Sequence, residues 1–124
     1  EKKINIKTHV YPETLSVMID VDMVEQMLIN LLLNAEQALA GKSPAEVNLL
    51  ASLNKRGLVV IELSDNGPGV PDELKQKIFV PFFTTKREGS GVGLALTRQV
   101  MIAHGGNVRL TDTESGGARF VLTF

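Results

Sequence analysis

The 124-residue sequence predicts one α+β domain whose helices lie on one face of a mostly antiparallel sheet. Strand-like and helix-like periods are mixed along the chain, without the regular alternation that a parallel sheet requires. Short turns at residues 54–57 and 111–117 each separate a pair of strand-like segments, as in hairpins. Hydrophobic residues make up 44% and charged residues 22%, an ordinary balance for a domain with a single core.

The predicted strands are short. Ile4, Ile6 and Val10 alternate with polar neighbours, which is the two-residue period of a half-buried strand. The predicted strands cover residues 4–10, 15–19, 47–53, 58–63, 108–111 and 120–124.

The longest predicted helix follows a cap at Asp20 or Asp22 and runs to about Ala40, where Gly41 ends it. The remaining predicted elements are a short helix over residues 71–78, a loop over 79–90, and a helix over 91–103 that His104, Gly105 and Gly106 end.

Two stripes of side chains follow this long helix. One stripe is apolar and comprises Val24, Leu28, Leu31, Leu32, Ala35 and Leu39; the other carries amides and comprises Gln26, Asn30, Asn34 and Gln37. Mg²⁺ prefers oxygen ligands and is often held by few protein groups, so the side-chain oxygen of Asn34 is a candidate ligand. Asn30, one turn earlier, lies on the same side. For an isolated pair of asparagines, a water-exposed helix surface is the favoured interpretation.

Asp65 follows an apolar strand and opens a glycine turn that contains Gly67 and Gly69. A carboxylate there can accept a hydrogen bond from an exocyclic amine such as that of adenine, and it would reject the O6 of guanine. Glycines allow a sharp turn and close approach of a flat base. Taken alone, these residues are better explained by an ordinary Asp-Asn-Gly turn, which is frequent in proteins.

A second glycine-rich segment, with Gly89, Gly91 and Gly93, directly precedes the last helix. Backbone N–H groups at a helix N-terminus suit phosphate oxygens. The spacing is neither that of a Walker A loop nor that of a dinucleotide fingerprint, and a simple glycine linker is the ordinary alternative. Residues 84–88 add hydroxyls and cations between this segment and the aromatic pair at 82–83.

Other polar and apolar residues are assigned structural roles. His9 and His104 have no acidic neighbour at a catalytic spacing. Phe82 and Phe83 follow Pro81 and suggest an anchor for a flap, although core packing explains them too. The four methionines, Met18, Met23, Met27 and Met101, are predicted to fill the core.

Composition excludes several function classes. A net charge of −1 gives no general attraction to nucleic acid or anionic membranes. The absence of cysteine excludes disulfides, thiolate metal sites and thiol nucleophiles. No apolar run approaches the ~20 residues of a membrane span. The chain begins at Glu1 already near a strand-like pattern, so we expect residues 1–124 to be one domain of a longer protein.

Together these segments closely resemble the catalytic ATP-binding domain of bacterial sensor histidine kinases, within the superfamily of gyrase, mismatch-repair and heat-shock chaperone ATPases (the GHKL, or Bergerat, fold). The resemblance covers essentially the whole chain. The matching motifs are the N box at residues 22–38, the first glycine box at 65–69, the F box at 79–86, the second glycine box at 89–94 and the closing strand at 116–122.

The resemblance implies a two-layer sandwich of about three helices against a mixed sheet, with ATP and Mg²⁺ as ligands. It assigns Asn30 and Asn34 to catalysis, Asn34 to Mg²⁺, Asp65 to the adenine amine and residues 84–90 to a lid over ATP. The ATP-contacting set that it implies is Asn34, Asp65, Gly67, Gly69, Phe82, Thr84, Thr85, Lys86, Gly89, Ser90, Gly91, Val92, Gly93 and Leu94.

In the family, the γ-phosphate passes to a histidine on a separate dimerising helical domain, and then to an aspartate of a response regulator. This chain contains no phosphoacceptor motif, so we expect a monomeric, cytoplasmic domain that binds ATP and ADP without phosphorylating itself. The parent protein could equally be anchored in the inner membrane. Gln37 and Ala38 resemble the nitrogen-regulatory branch of these kinases, and only about six residues separate Phe83 from Gly89.

Three other functions fit the same fold. Hydrolytic ATPases of the superfamily use Glu, which can activate water, where this chain has Asn30. Serine-kinase anti-sigma factors share the N box, but residues 82–86 resemble sensor kinases more closely. A degenerate domain that binds only nucleotide or a partner protein is disfavoured because all four motifs are intact.

Overall fold

The computed structural model describes residues 4–80 and 93–124, and these form a single five-stranded sheet with helices packed on one face. The strands are β1 (Ile4–Val10), β2 (Ala45–Leu53), β3 (Val59–Asp65), β4 (Asn107–Asp112) and β5 (Ala118–Thr123). The helices are α1 (Val21–Ala38) and α2 (Gly93–Ala103), with short 3-10 helices at Asp72–Leu74 and Lys77–Phe79.

The strand order is β1-β2-β3-β5-β4, in which β1 and β2 are parallel and every other neighbouring pair is antiparallel. The predicted fold class is therefore confirmed. Both predicted hairpins form, one between β2 and β3 and one between β4 and β5. Among these strands, β1 and β4 occupy the two edges.

The core lies between the sheet and the two α-helices. From α1, the buried residues Val24, Met27, Leu31 and Ala35 recur every three or four positions. They pack in one cluster with sheet residues such as Leu63. Each such side chain contributes about 1.5–3 kcal/mol by leaving water, so this stripe fixes α1 on the sheet.

The start of α1 is set by Asp20, one of the two predicted caps. Its Oδ1 accepts a hydrogen bond from the N–H of Met23 at 3.1 Å. The neighbouring backbone is held from outside the helix as well, because the N–H of Asp20 donates to Nε2 of His104 at 3.0 Å. The ring of His104 thus has the structural role that was predicted.

Three predictions about the N-terminal part were wrong. Residues 15–19 do not form a strand and pair with no strand of the described sheet; the N–H of Leu15 instead donates to the carbonyl of Pro12 in a turn. Met18 is 95% exposed rather than part of the core, and Met23 is also exposed. Ile6 and Val10 of β1 are exposed too, since the helical layer does not reach that edge of the sheet.

The helix predicted over residues 71–78 is instead two 3-10 helices, and Phe79, predicted to lie in a loop, ends the second of them. Phe79 is buried and packs edge-to-face on Phe120, with ring centroids 6.3 Å apart. Within the described ranges, neither α1 nor α2 has the length and apolarity that crossing a membrane requires.

Candidate functional site

Asp65 is the most deeply buried carboxylate in the described part of the chain, with 6% of its surface exposed. Its Oδ1 accepts hydrogen bonds from the N–H of Gly67 at 2.9 Å and, at a long 3.4 Å, from that of Ala118. No described residue donates to Oδ2. One oxygen therefore orients the side chain, and the other is left for a donor on a ligand.

The backbone around Asp65 has no room for additional side chains. A Cβ on Gly69, which has a φ of +76°, would lie 2.2 Å from the carbonyl oxygen of Gly116. A Cβ on Gly117 would lie 2.0 Å from the carbonyl oxygen of Asp65 itself. The glycine turn after β3 and the turn between β4 and β5 thus form a cradle around the carboxylate, which we call the Asp65 cradle.

Gly117 was not predicted as a site residue, although the pair Gly116-Gly117 was a visible signal in the sequence. Thr113 shapes this turn. Its Oγ1 accepts a hydrogen bond from the N–H of Gly117 at 2.8 Å, and its own N–H donates to the carbonyl of Gly117 at 2.9 Å. The chain's own groups therefore close the turn that contacts Asp65.

Asn66 was also missed, because its partners are distant in sequence. Its Nδ2 donates to the carbonyl of Pro44 at 2.8 Å, and its Oδ1 accepts from the N–H of Glu46 at 2.9 Å. Its backbone N–H donates to the carbonyl of Glu46 at 3.2 Å. These three bonds tie the end of β3 to the start of β2 and fix the position from which Asp65 projects.

The amide stripe of α1 is brought next to this cradle. A Cβ on Gly67 would lie 3.1 Å from the carbonyl oxygen of Ala38, so the glycine turn touches the last turn of α1. Asn34 precedes Ala38 by one turn on the same helix face and is half-buried. Asn30, also half-buried, accepts a hydrogen bond from Nε2 of Gln26 at 3.2 Å. Two of the four predicted motifs therefore meet.

The remaining predicted contacts are only partly described. Gly93 is the first residue of α2, and the half-buried Leu94 packs against the core. The following predicted site residues lie outside the described ranges: Phe82, Thr84, Thr85, Lys86, Gly89, Ser90, Gly91 and Val92.

Comparison with known proteins agrees with this arrangement. Residues 19–124 match the family described as histidine kinase-, DNA gyrase B- and HSP90-like ATPases. The chain belongs to this family. Membership makes ATP the ligand class of the domain, and it confirms the resemblance on which the motif assignments rest.

Within the family, the similar proteins include sensor histidine kinases. The chain is 38% identical over 103 residues to the histidine-protein kinase AtoS of Escherichia coli, covering 83% of this chain and 17% of AtoS. It is 34% identical to the histidine kinase/phosphatase NtrB of Rhizobium meliloti, covering 92% of this chain and 33% of NtrB. The predicted likeness to the nitrogen-regulatory branch is thus confirmed, and the chain spans only a fraction of these relatives.

Solved structures agree in fold. The catalytic domain of histidine kinase ThkA superposes with a TM-score of 0.85 at 32% identity, covering 98% of this chain and 79% of that domain. ThkA in complex with the response regulator TrrA also matches, with a TM-score of 0.78 at 30% identity, covering 98% of this chain and 34% of that one. The chain is therefore a catalytic ATP-binding domain of the histidine kinase type.

Proposed function

We propose that this domain, residues 1–124 of a longer kinase, binds Mg²⁺-ATP and presents the γ-phosphate to a histidine on a separate helical domain. The observation that carries the proposal is the Asp65 cradle, a buried carboxylate with one oxygen held by the backbone and the other without a donor among the described residues. The adjacent amides of α1 supply the phosphate end of the same site.

Adenine selectivity follows from the free oxygen of Asp65. The exocyclic amine of adenine would donate to Oδ2, whereas guanine would place its O6 against the carboxylate. At Gly69 and Gly117, the two backbone turns pack against each other and against Asp65, with no side chain between them. A flat base can therefore lie directly against this surface.

The residues present suit magnesium held mainly by phosphate. In the described ranges, no cluster of three or more His, Cys, Asp or Glu side chains could hold a metal by itself. Asn34 offers one neutral oxygen near the cradle, which is the sparse donor set with which Mg²⁺ binds beside phosphate oxygens and water. When bound, the ion would neutralise phosphate charge. The role of Asn34 is to fix its position relative to α1.

Asn30 favours phosphate transfer over hydrolysis. An amide cannot take a proton from water at neutral pH, and Oδ1 of Asn30 already accepts a hydrogen bond from Gln26. Glu25 and Glu36, the nearest carboxylates along α1, are both exposed. No described carboxylate on α1 therefore replaces the water-activating Glu of hydrolytic relatives.

The phosphoacceptor is proposed to lie outside this chain. Both ring nitrogens of His104 are engaged, with Nε2 accepting from Asp20 at 3.0 Å and Nδ1 lying 2.7 Å from the carbonyl of Val100. His9 is exposed on strand β1, whereas the proposed phosphoacceptor is a histidine on a helix. The histidine of a dimerising helical domain is the proposed acceptor, and a response regulator the next one.

The same proposal includes a cytoplasmic location, where ATP is supplied. The isolated domain is expected to be a monomer, because dimerisation belongs to the helical domain in this class of kinase. No role in nucleic-acid binding is proposed, since the net charge is −1.

The test is a calorimetric titration of the 124-residue chain with ADP and a non-hydrolysable ATP analogue, with and without Mg²⁺. Adenine nucleotides should bind more tightly with Mg²⁺ present, and GTP should bind at least about 10-fold more weakly. Equal affinity for ATP and GTP would refute the role of Asp65. A nucleotide affinity that does not depend on Mg²⁺ would refute the role of Asn34.

A second measurement tests transfer. The domain is mixed with a separately produced helical phosphoacceptor domain from a similar kinase and with radiolabelled ATP. Label on histidine supports the proposal, whereas release of inorganic phosphate without labelled protein would identify a hydrolase instead.

A further inference from the structure

A cavity of about 340 Å³ lies beside β4, at an edge of the sheet. One wall consists of five consecutive residues of β4, 107–111. The other lining residues come from the segment of the two 3-10 helices and from α2, and they are Lys75, Gln76, Phe79, Arg98 and Ile102. None of these residues belongs to the proposed ATP-contacting set, so this is a second location on the domain, which we call the β4 groove.

The groove follows the backbone edge of the strand. Successive residues of a strand face opposite sides of the sheet, so a cavity that touches five in a row must run along the strand's outer edge. In the described sheet, β4 pairs only with β5. Its outward N–H and C=O groups have no strand partner there, and such an edge can accept a further strand.

The side chains around the edge alternate in character. Val108 and Leu110 lie on the core side of the sheet and pack against the core cluster. Arg109 lies on the opposite side, across from Val121 of β5. A strand laid along β4 would therefore meet apolar neighbours with one set of alternate residues and a guanidinium with the other.

The charges of the groove are not balanced by the described residues. Lys75 is ion-paired with Asp72 and with Asp112, the latter at 2.9 Å. Arg98 and Arg109, in contrast, make no ion pair or hydrogen bond with another described residue. Thr111 adds a buried hydroxyl that also has no partner among them. Within residues 4–80 and 93–124, the groove thus has positive charge that is not ion-paired and hydrogen-bonding groups that have no partner.

We propose that the β4 groove binds an extended protein segment in which acidic and apolar residues alternate, added to the sheet as a strand beside β4. Backbone hydrogen bonds along the edge would supply affinity, and the alternate side chains would supply specificity. Acidic residues of the segment pair with Arg109, and apolar residues pack toward Phe79 and Ile102.

The test is an NMR titration of the 124-residue chain with a seven-residue peptide of alternating Glu and Val, acetylated and amidated at its ends. We expect shifts of the backbone amides of residues 107–112 and a dissociation constant of roughly 0.1 mM. A Lys-Val peptide of the same length should bind at least about 10-fold more weakly because its charge is reversed. Absence of shifts in β4 at about 1 mM peptide would overturn the proposal.

Two modifications separate strand addition from simple charge attraction. N-methylation of alternate peptide amides removes backbone donors while keeping every charge, and it should weaken binding about 10-fold. Equal affinity for the methylated peptide would overturn strand addition and point to a site for carboxylates alone. Shifts centred on β1, the other edge strand, would equally contradict the assignment to β4.

The protein variants are matched by charge. Arg109→Glu should weaken peptide binding about 10-fold, because it places like charges across the two strands. Arg56→Glu makes the same change in the exposed turn between β2 and β3 and should leave the affinity unchanged. Both side chains are exposed, so each variant should keep the native spectrum outside its own surroundings. Equal weakening by both variants would refute a site at β4.

Discussion

The two halves of the proposed nucleotide site are built differently. The Asp65 cradle is made of backbone from two turns packed without intervening side chains, and its carboxylate is almost fully buried. The amide stripe of α1 lies beside the buried stripe of the same helix, and its Asn30 and Asn34 are half-buried. In the first half, backbone packing itself makes the shape of the site, whereas in the second half the chemistry is carried by side chains next to the residues that pack α1 on the sheet.

This difference predicts how substitutions separate stability from function. Changes in the cradle should reduce the free energy of unfolding and nucleotide affinity together. Changes at Asn30 and Asn34 should affect Mg²⁺-dependent binding and phosphate transfer while the fold stays intact. Four substitutions in the site follow, two of them with a control elsewhere, and the four are ordered from the largest to the smallest expected effect on stability.

Gly69→Ala should be the most damaging. Its added Cβ would lie 2.2 Å from a backbone oxygen that cannot move aside, and the φ of +76° adds strain. We expect the free energy of unfolding to fall by about 3 kcal/mol or more. Urea denaturation measures this change in the free energy of unfolding.

Gly57→Ala is the matched control for Gly69→Ala. Gly57 has a φ of +78° but nothing within 4 Å of the added Cβ, so this variant isolates the backbone strain. The free energy of unfolding of this variant should fall by only about 1 kcal/mol. If both variants lose the same amount, the close packing of the cradle is not what makes Gly69 necessary.

Asn66→Ala removes both side-chain hydrogen bonds between the end of β3 and the start of β2. We expect the free energy of unfolding to fall by about 1–2 kcal/mol, because the N–H of Glu46 and the carbonyl of Pro44 each lose a hydrogen-bond partner. ADP affinity should fall as well, since Asp65 is no longer held in place. Calorimetry at a temperature well below the melting temperature separates this loss of ADP affinity from unfolding. Unchanged ADP affinity would contradict a role of Asn66 in positioning Asp65.

Asp65→Asn should affect binding more than folding. The amide can still accept from Gly67 through one oxygen, but it replaces the free Oδ2 with a donor that would face the adenine amine. ADP affinity should fall at least about 10-fold, and the preference for adenine over guanine should shrink or reverse. Titration with ADP and GDP measures both, and a preserved preference would exclude Asp65 as the adenine partner.

Asn34→Ala should change stability least, within about 1 kcal/mol, because alanine is the better helix former. The Mg²⁺-dependent gain in nucleotide affinity should disappear, and phosphate transfer in the full-length protein should be lost. Gln37→Ala, at an exposed position of the same helix, is the control. It should keep both the Mg²⁺-dependent gain in nucleotide affinity and phosphate transfer. An Asn34 variant with normal Mg²⁺ dependence would remove this residue from the metal site.

Local patterns were sufficient for most of the fold. The period of α1, the cap at Asp20 and the two hairpins were all predictable, because each depends on residues that are close in sequence. The failures have a shared cause. Whether Ile6, Val10 and Met18 are buried depends on which part of the sheet the helices cover, and the sequence of β1 carries no information about that.

The sequence by itself determined the fold class, the motifs and the family to which the chain belongs, since these rest on residue types at fixed spacings. Tertiary structure alone placed Asn66 against the start of β2 and the Gly116-Gly117 turn against Asp65. These contacts are distant in sequence, with 20 residues between Asn66 and Glu46 and 53 between Asp65 and Ala118. The same holds for the β4 groove, which exists only because α2 and the 3-10 helices pack beside an edge strand. Such sites depend on long-range backbone packing, which no local pattern specifies.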